Sequence, residues 1–390
     1  MKEISGHYNN GILTIALQGS INSSNATAVE EEISKLDKSN ASTTLIIDAE
    51  NLEYISSAGL RIILRLGNSH DDLKIVNVSS SVYEVFEMTG FAEIFKVEKA
   101  YRKLSVDGCE VIGQGANGVV YRLDDDTIIK VYRNPDSLPE IKRERELARK
   151  AFVLGIQTAI PYDVVKVGNG YGSVFELLNA KSFAKLLAKE PEKLDYYVEL
   201  YIDVLKKLHS THVQPGDMPN MKDVALDWVD YLESHLEAKQ YEKLKRMVSE
   251  VPERSTMIHG DYHIKNIMMQ NDEVLLIDMD TLSYGHPIFE LAQMYLSYVG
   301  FGEYDHNVTL NFMGLPYEIT NQLWASSMRE YFNTLDENAI SEIVAKIKVV
   351  AYTRVVRRML KREKDSVALP YYKEKLIKAI EDVDTLVFNC

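Results

Sequence analysis

The residues best suited to chemistry in this 390-residue chain are His259-Gly260-Asp261-Tyr262-His263-Ile264-Lys265-Asn266 and, after the apolar run Val274-Leu275-Leu276-Ile277, Asp278. Phosphoryl transfer asks little covalent work of a protein. It needs ligands for Mg²⁺, screening of phosphate charge, and one oxygen that orients the attacking hydroxyl. Asp261 and Asn266 are five residues apart, a spacing at which a short loop turns both side chains to one side, and Asp278 stands where a buried strand runs out. In that arrangement Asp261 takes the acceptor's proton, while Asn266 and Asp278 hold the metal. Two other readings compete here. His, Asp and Asn abound in turns and caps, and His259, Asp261 and His263 all offer ligand atoms for a hydrolytic metal site.

The octapeptide resembles the catalytic loop of aminoglycoside and choline phosphotransferases, His-Gly-Asp-x-His-x-x-Asn, and Asp278 resembles the metal-binding Asp that follows in that family and in protein kinases. His259 and His263 then serve as scaffold for the loop. Lys265 stands where it would neutralise transferred phosphate. Further on, Gly285-His286-Pro287-Ile288-Phe289-Glu290-Leu291-Ala292 resembles the family's Gly-Asp-Pro-x-x-Asp-Leu-Ala, with His286 and Glu290 in place of acids, a departure that leaves the role of Glu290 open.

Other elements must position these groups. Ile112 to Tyr121 carries glycines at 113, 115 and 118 around Asn117; without Cβ atoms such a hairpin can bring its N–H groups up to phosphate oxygens. A strand follows rather than a helix, which argues against a Rossmann or Walker arrangement. Lys130, inside the apolar strand Thr127 to Tyr132, is costly there unless paired with an acid and a phosphate. The helical pattern from Glu140 to Leu154 offers that acid. By its place before the next strands Glu146 resembles the family's helix Glu, with Glu144 as the alternative and a solvated helix face for the other. Tyr162 to Val167 and Ser173 to Leu178 read as a hairpin around Gly168 to Gly172. Glu176, Leu177 and Leu178 would leave it as the hinge whose backbone binds adenine in a two-lobed kinase.

Beyond Ser182 the pattern is helical, with Leu194, Tyr197, Val198, Tyr201, Val204, Leu205 and Leu208 at core spacing and His209 structural. Residues 318–388 read as several helices without a strand, suiting the family's helical substrate-binding region. There Arg354, Arg358, Lys361 and Arg362 share a helical face, either solvated or disposed to bind an anionic substrate or the other domain.

The first hundred residues alternate strand and helix. Residues 11–18, 44–49 and 73–78 are strand-like, Asn22 to Asn25 offer helix caps, and Ser57 to Leu66 and Ser81 to Met88 are helical, which predicts a mixed or parallel sheet covered by helices. Ile47 to Leu60, ending Ser56-Ser57-Ala58-Gly59-Leu60, resembles the signature of the STAS domain, the fold of anti-sigma factor antagonists. By that resemblance Ser57 is a candidate phosphosite, and a phosphate at a helix N-terminus is electrostatically favoured. Ser56 or Ser57 as a plain N-cap is the alternative. The join near 97–107 is short, mixed in charge and not rich in Gly or Ser, so the domains are expected to be held close.

Composition bounds the rest. The chain is 46% hydrophobic and carries a formal charge of −14 with pI near 5.2, a field that repels nucleic acid and anionic membranes. The two cysteines, Cys109 and Cys390, are too few for a disulfide framework. No apolar signal core opens the chain and no uninterrupted apolar run has membrane-spanning length, so a cytoplasmic protein is expected.

The expected architecture is therefore α/β and α+β. A STAS-like regulatory domain at 1–100, a mixed sheet with helices, precedes a bilobal protein-kinase-like phosphotransferase domain at 101–390, with an antiparallel β N-lobe to about 178 and a mainly helical C-lobe after it. The expected activity is Mg²⁺-dependent transfer of the γ-phosphate of ATP or GTP to a hydroxyl acceptor. Gly113, Gly115, Asn117, Gly118 and Lys130 hold the phosphates, Glu146 positions Lys130, Asn266 and Asp278 bind Mg²⁺, and Asp261 orients the hydroxyl. A small-molecule alcohol such as an aminoglycoside, choline or a sugar is the leading acceptor. A protein serine kinase acting on Ser57 of a STAS domain, in partnership with an anti-sigma-type protein, is the first alternative, and a nonenzymatic nucleotide-sensing switch the second.

Overall fold

A computed structural model describes residues 4–38, 44–70, 72–115, 117–159 and 161–388. The chain divides into two compact units, one comprising residues up to 105 together with 164–168, the other residues 106–163 and 169 onward.

The first unit is built on five strands in sequential order, Ser5–Asn9, Ile12–Ile21, Thr44–Ile55, Leu73–Val78 and Lys96–Lys99. The first pair is antiparallel and the others are parallel, so the sheet is mixed. Leu13, Ile15 and Leu17 are buried at alternate positions, as are Leu45, Ile47 and Ala49, because a strand's side chains alternate between faces. The helices Ala26–Lys38, Ser57–Ser69 and Ser80–Met88 lay Val29, Ile33, Ile62, Ile63, Val82 and Phe86 into the same core. The first and last strands lack a sequence signal because they are short and mostly exposed. Ser56 caps the second helix, its Oγ accepting from the Ala58 N–H at 3.3 Å, and Ser57 is the first helical residue, with its side chain exposed. A Cβ at Gly59 would lie 2.6 Å from Ile55 and 2.9 Å from Ile21, so this helix approaches the sheet more closely than any other residue would allow.

In the second unit Val111–Gln114, Gly118–Arg122, Thr127–Tyr132 and Gly170–Glu176 form an antiparallel run in which the third strand lies between the second and the fourth. Lys130 sits opposite Val120 on one side and Ser173 on the other, in the middle of this sheet. The helix Leu138–Val153 buries Ile141, Leu147, Ala148 and Ala151, and with them Glu144. The strand Gly170–Glu176 ends two residues short of the expected Leu178, because the Leu177 N–H closes the sheet by donating to the Asp126 carbonyl at 2.7 Å. The rest is mainly helical. Leu194–Ser210, Met221–Tyr231, Ile288–Tyr298, Tyr317–Phe332, Glu337–Arg362 and Leu369–Asp382 pack one large core, interrupted by the hairpin Ile267–Gln270 with Glu273–Leu276. Every residue of Ile288–Tyr298 is buried, so its polar members Glu290, Gln293 and Ser297 must find partners inside. No helix among the described residues is long and apolar enough to cross a membrane. Cys109 is a free thiol, and Cys390 lies outside the described residues.

Candidate active site

Lys130 joins three elements. Its ammonium lies 3.0 and 3.2 Å from the two carboxylate oxygens of Glu144 and 2.8 Å from Asp278 Oδ1. Burial works against the charge, but Asp278 and Glu144 outweigh it and hold the pKa above that of a free lysine. Glu144 also accepts from the Tyr132 hydroxyl at 2.5 Å and is only 5% exposed at its side chain. The acid that meets Lys130 is thus Glu144 and not Glu146. The carboxylate of Glu146 is 61% exposed and pairs with Lys150 one helical turn on, at 3.2 Å. Helix phase is the reason, since residues two apart on an α-helix point to nearly opposite faces.

Asp278 follows the strand Glu273–Leu276 with φ 64 and ψ 65, a left-handed conformation rare for a residue with a Cβ. Such backbones persist only where the surroundings impose them, and they cluster at functional sites. The Ile277 N–H donates to the Asn266 carbonyl at 3.0 Å, which ties the residue before Asp278 to Asn266. The Asn266 side-chain amide donates in turn to the Asp261 carbonyl at 3.0 Å. Asp261, Asn266, Asp278 and Lys130 therefore share one continuous hydrogen-bonded neighbourhood.

The loop is held from beneath. Glu290, fully buried, accepts from the His259 N–H at 2.5 Å and the Gly260 N–H at 3.0 Å. Gly260 has φ 82, and a Cβ there would lie 2.6 Å from the Thr281 carbonyl oxygen, so both the conformation and the space call for glycine. His259 accepts the Asp261 N–H on Nδ1 and meets the Ile277 carbonyl with Nε2 at 3.1 Å, so the neutral ring carries its proton on Nε2. Burial lowers its pKa and keeps it neutral. Asp261 Oδ1 accepts from Gln293 at 2.8 Å, and Oδ2 lies 3.4 Å from His263 Nε2. Burial alone would raise the Asp261 pKa, but His263, His259 and Arg354 together take it well below the usual carboxylate range. Asp261 is thereby an oriented anion, with one oxygen pinned and the other facing a histidine.

The glycines divide by cause. At Gly118 a Cβ would fall 2.4 Å from the Val131 carbonyl oxygen, so strand packing alone demands glycine. At Gly115 nothing lies within 4 Å, and at Gly113 the nearest atom is an ordinary 3.5 Å from the Cβ position, so the fold gives no steric reason for either. Open space at those positions suits the approach of a ligand to the backbone. Asn117 donates to Asp280 Oδ2 at 3.1 Å, which draws the glycine loop toward the segment that carries Asp278. The Leu177 N–H is engaged in the sheet, so of the expected hinge residues Glu176 and Leu177 form the sheet's end and Leu178 follows it. Lys265 lies over the Phe312 ring at 4.7 Å, with the His263 ring edge-on to the same phenyl.

Two participants were not named from the sequence, and a third was named without this role. Asp280, whose carboxyl is pushed up by burial and by the charge of Asp278, lies two residues past the expected metal ligand, and that spacing was the available signal. Gln293 reaches the loop from a helix further along the chain with nothing local to mark it, and Arg354, expected only as part of a basic helical face, comes to it from the helix Glu337–Arg362. Arg354 donates to the Gly260 carbonyl at 3.1 Å while its guanidinium lies over the Trp228 ring.

The donor set suits a divalent cation. Asp278 and Asp280 crowd negative charge about Lys130, and the amide NH₂ of Asn266 is spent on the loop, leaving its oxygen for a ligand. Among the described residues no cluster of three or more His, Cys, Asp or Glu is placed to hold an ion by itself. Mg²⁺ characteristically takes one or two side chains and completes its shell with phosphates and water.

Residues 108–310 match the phosphotransferase enzyme family, and residues 4–104 match the STAS domain. The chain belongs to the phosphotransferase enzyme family and carries an N-terminal STAS domain. A putative anti-sigma factor antagonist of Bordetella bronchiseptica, BtrV, is 39% identical over 92 residues, covering 22% of this chain and 78% of that protein. Among solved structures, a thermostable mutant of aminoglycoside phosphotransferase APH(4)-Ia in its apo form aligns with TM-score 0.51 at 10% identity, covering 70% of this chain and 94% of that one. A ternary complex of the same enzyme with ADP and hygromycin B aligns with TM-score 0.51 at 9% identity, covering 77% and 97%. At such identities the likeness establishes the kinase-like fold of the second unit.

Proposed function

We propose that the second domain is a Mg²⁺-dependent phosphotransferase that moves the γ-phosphate of ATP or GTP to the hydroxyl of a small-molecule alcohol, and that the STAS domain is regulatory and binds an anti-sigma-type protein partner. The observation that carries this reading is the bridge from Glu144 through Lys130 to Asp278, within one hydrogen-bonded neighbourhood with Asp261 and Asn266. A structural ion pair has no need of a third group in a strained left-handed conformation, or of an oriented anion beside it. The soluble, acidic character of the chain fits a cytoplasmic location.

In this reading Lys130 holds nucleotide phosphate oxygens and Glu144 fixes its ammonium, while Gly113, Gly115, Asn117 and Gly118 shape the backbone over the phosphates. Glu176 to Leu178 border the adenine. Asn266 and Asp278, with Asp280 beside them, would hold Mg²⁺, which when bound supplies charge screening for the phosphates. Asp261 accepts a hydrogen bond from the acceptor hydroxyl and aims its oxygen in line with the γ-phosphorus. A bond forms from that oxygen to phosphorus, the bond to the β–γ bridging oxygen breaks with its electron pair leaving on the diphosphate, and the hydroxyl proton passes to Asp261. A carboxylate of such low basicity works chiefly by orientation, taking the proton late, as suits a loose transition state.

A second reading has its own observation: Ser57 is exposed at the first position of a helix whose cap is already supplied by Ser56. A phosphate there would lie on free N–H groups at the positive end of the helix dipole. That fits a protein serine kinase acting on a STAS domain.

Incubation with γ-labelled ATP and Mg²⁺ separates the two readings. Label in protein that Ser57→Ala removes supports the serine kinase, whereas ADP formation only with an added alcohol supports the small-molecule acceptor. Asp261→Asn is expected to lower kcat at least 10³-fold with the fold retained by circular dichroism, and full turnover by that variant would sink both readings.

A further inference from the structure

We infer that Arg354, Arg357 and Arg358 form an anion-binding subsite beside Asp261, and that it takes the phosphate or carboxylate of a negatively charged alcohol acceptor. The inference rests on the phosphotransfer reading and adds to it the charge of the acceptor. The three arginines stand at i, i+3 and i+4 on the helix Glu337–Arg362 and therefore share one face. Each guanidinium lies over an aromatic ring: Arg354 over Trp228 at 5.3 Å, Arg357 over Tyr231 at 5.8 Å, and Arg358 over Phe301 at 5.6 Å. Ring contact holds the planar groups and leaves most of their N–H donors unspent, since Arg354 gives one to the Gly260 carbonyl and Arg358 one to Glu363.

Carboxylates do not use up the outer two. Among the described residues neither Arg354 nor Arg357 forms an ion pair, and the Nε of Arg357 is buried with no hydrogen-bond partner. Arg358 has only Glu363, 3.5 Å away at the solvent edge. Like charges at this spacing destabilise a helix, and a buried donor without an acceptor costs about 1–3 kcal/mol. A chain of net charge −14 has carboxylates to spare; Asp261 and Glu290 lie near enough to act on Arg354, but Arg357 and Arg358 stand side by side with only Glu363 at the solvent edge, which calls for an anion from outside. Guanidinium forks match carboxylate and phosphate oxygens in planar, bidentate geometry.

The subsite is placed for an acceptor. Arg354 hydrogen-bonds the carbonyl of Gly260, the residue before Asp261, and Arg357 and Arg358 lie one helical turn on, roughly 5 Å along the axis. An alcohol with an anionic group a few bonds from its hydroxyl spans that interval. The same cluster repels a polycation. Lys361 and Arg362, further along the helix, are exposed and lie outside the subsite.

The test pairs alcohols that differ in charge: glycerol 3-phosphate and glycerate against glycerol, glucose 6-phosphate against glucose, and kanamycin as a polycation. ADP release is measured with the full chain, ATP and Mg²⁺ at fixed ionic strength. The expected result is a kcat/KM at least tenfold higher for the anionic member of a pair, with the ratio collapsing toward one in Arg357→Gln and Arg358→Gln. Glycerate used better than glycerol 3-phosphate assigns a carboxylate, and the reverse a phosphate. Equal use within pairs, preference for kanamycin, or a ratio that persists in both variants overturns the inference. So does an equal loss for every acceptor, which would place the arginines on the transferred phosphate. If no alcohol is consumed, the small-molecule acceptor reading is struck, and the subsite is judged by tryptophan fluorescence, since Trp228 lies under Arg354. A saturable change with inorganic phosphate but not chloride, lost in Arg357→Gln, upholds the subsite, and its absence removes it.

Discussion

Glu144 and Glu146 differ in exposure by a helix rotation of about 200°, and that rotation separates a group at the site from a surface one. Glu144 is the acid on Lys130, with Tyr132 donating to it from the other side. Removing its charge leaves Lys130 to Asp278 alone and lets the ammonium swing away from where phosphate oxygens must lie. Glu144→Gln is expected to lower kcat/KM for the nucleotide by tenfold or more, and Glu146→Gln to stay within twofold of the parent. The converse ranking in steady-state kinetics would reassign the pair. Asp261 makes a related point, because its two oxygens differ. Gln293 pins one and the histidine side holds the other, so the loop delivers an oriented anion rather than a free base.

At the scale of elements, the helix Ile288–Tyr298 is the floor of the loop. It is buried all round, and Glu290 spends its carboxylate on two consecutive backbone N–H groups. Burial outweighs those N–H groups and Arg354, and the Glu290 carboxyl is pushed up to about 7. Two charge-assisted acceptors on turned backbone are what hold His259 and Gly260 in place. Glu290→Ala strips both donors of their acceptor and leaves a cavity. It is expected to cost about 3 kcal/mol in urea denaturation, with kcat falling as the loop loses its shape. Unchanged stability would mean that water replaces the carboxylate without penalty.

For the whole molecule, pH is the informative variable. His259 and His286 are buried, and burial lowers the pKa of both, that of His286 to about 4. Each also accepts a backbone N–H on Nδ1, which only a neutral ring with its proton on Nε2 can do. The unfolded chain protonates these rings near pH 6.5 and the folded one does not. The stability these two rings contribute is therefore fully present above pH 6.5 and is lost as pH falls below it. His286 alone contributes a loss of about 2 kcal/mol between pH 7 and pH 5. Glu290 and Asp280, buried carboxyls pushed up to about 7, gain stability over the same fall in pH, so in denaturation measurements the histidine effect is read as a difference: relative to the parent, His286→Gln should gain about 2 kcal/mol between pH 7 and pH 5 where it folds. A difference between parent and His286→Gln that does not change with pH would show that this ring titrates in the folded protein as it does in the unfolded one.

The sequence alone determined what is local. The order of the buried strands and the helices follows from apolar spacing, the kinase-like class from the resemblance carried by one octapeptide with Asp261 and Asn266, and the strand Lys from its apolar neighbours, because each depends on residues a few positions apart. Tertiary structure decided what depends on the phase and packing of distant elements. It turned Glu144 rather than Glu146 toward Lys130, brought Gln293 and Arg354 to the loop from 32 and 94 residues away, and set Arg357 and Arg358 against aromatic rings from other segments. A helix's rotation about its axis is fixed by the surface it packs on, and no spacing within the helix itself specifies which of two neighbouring acids will meet a lysine on another strand.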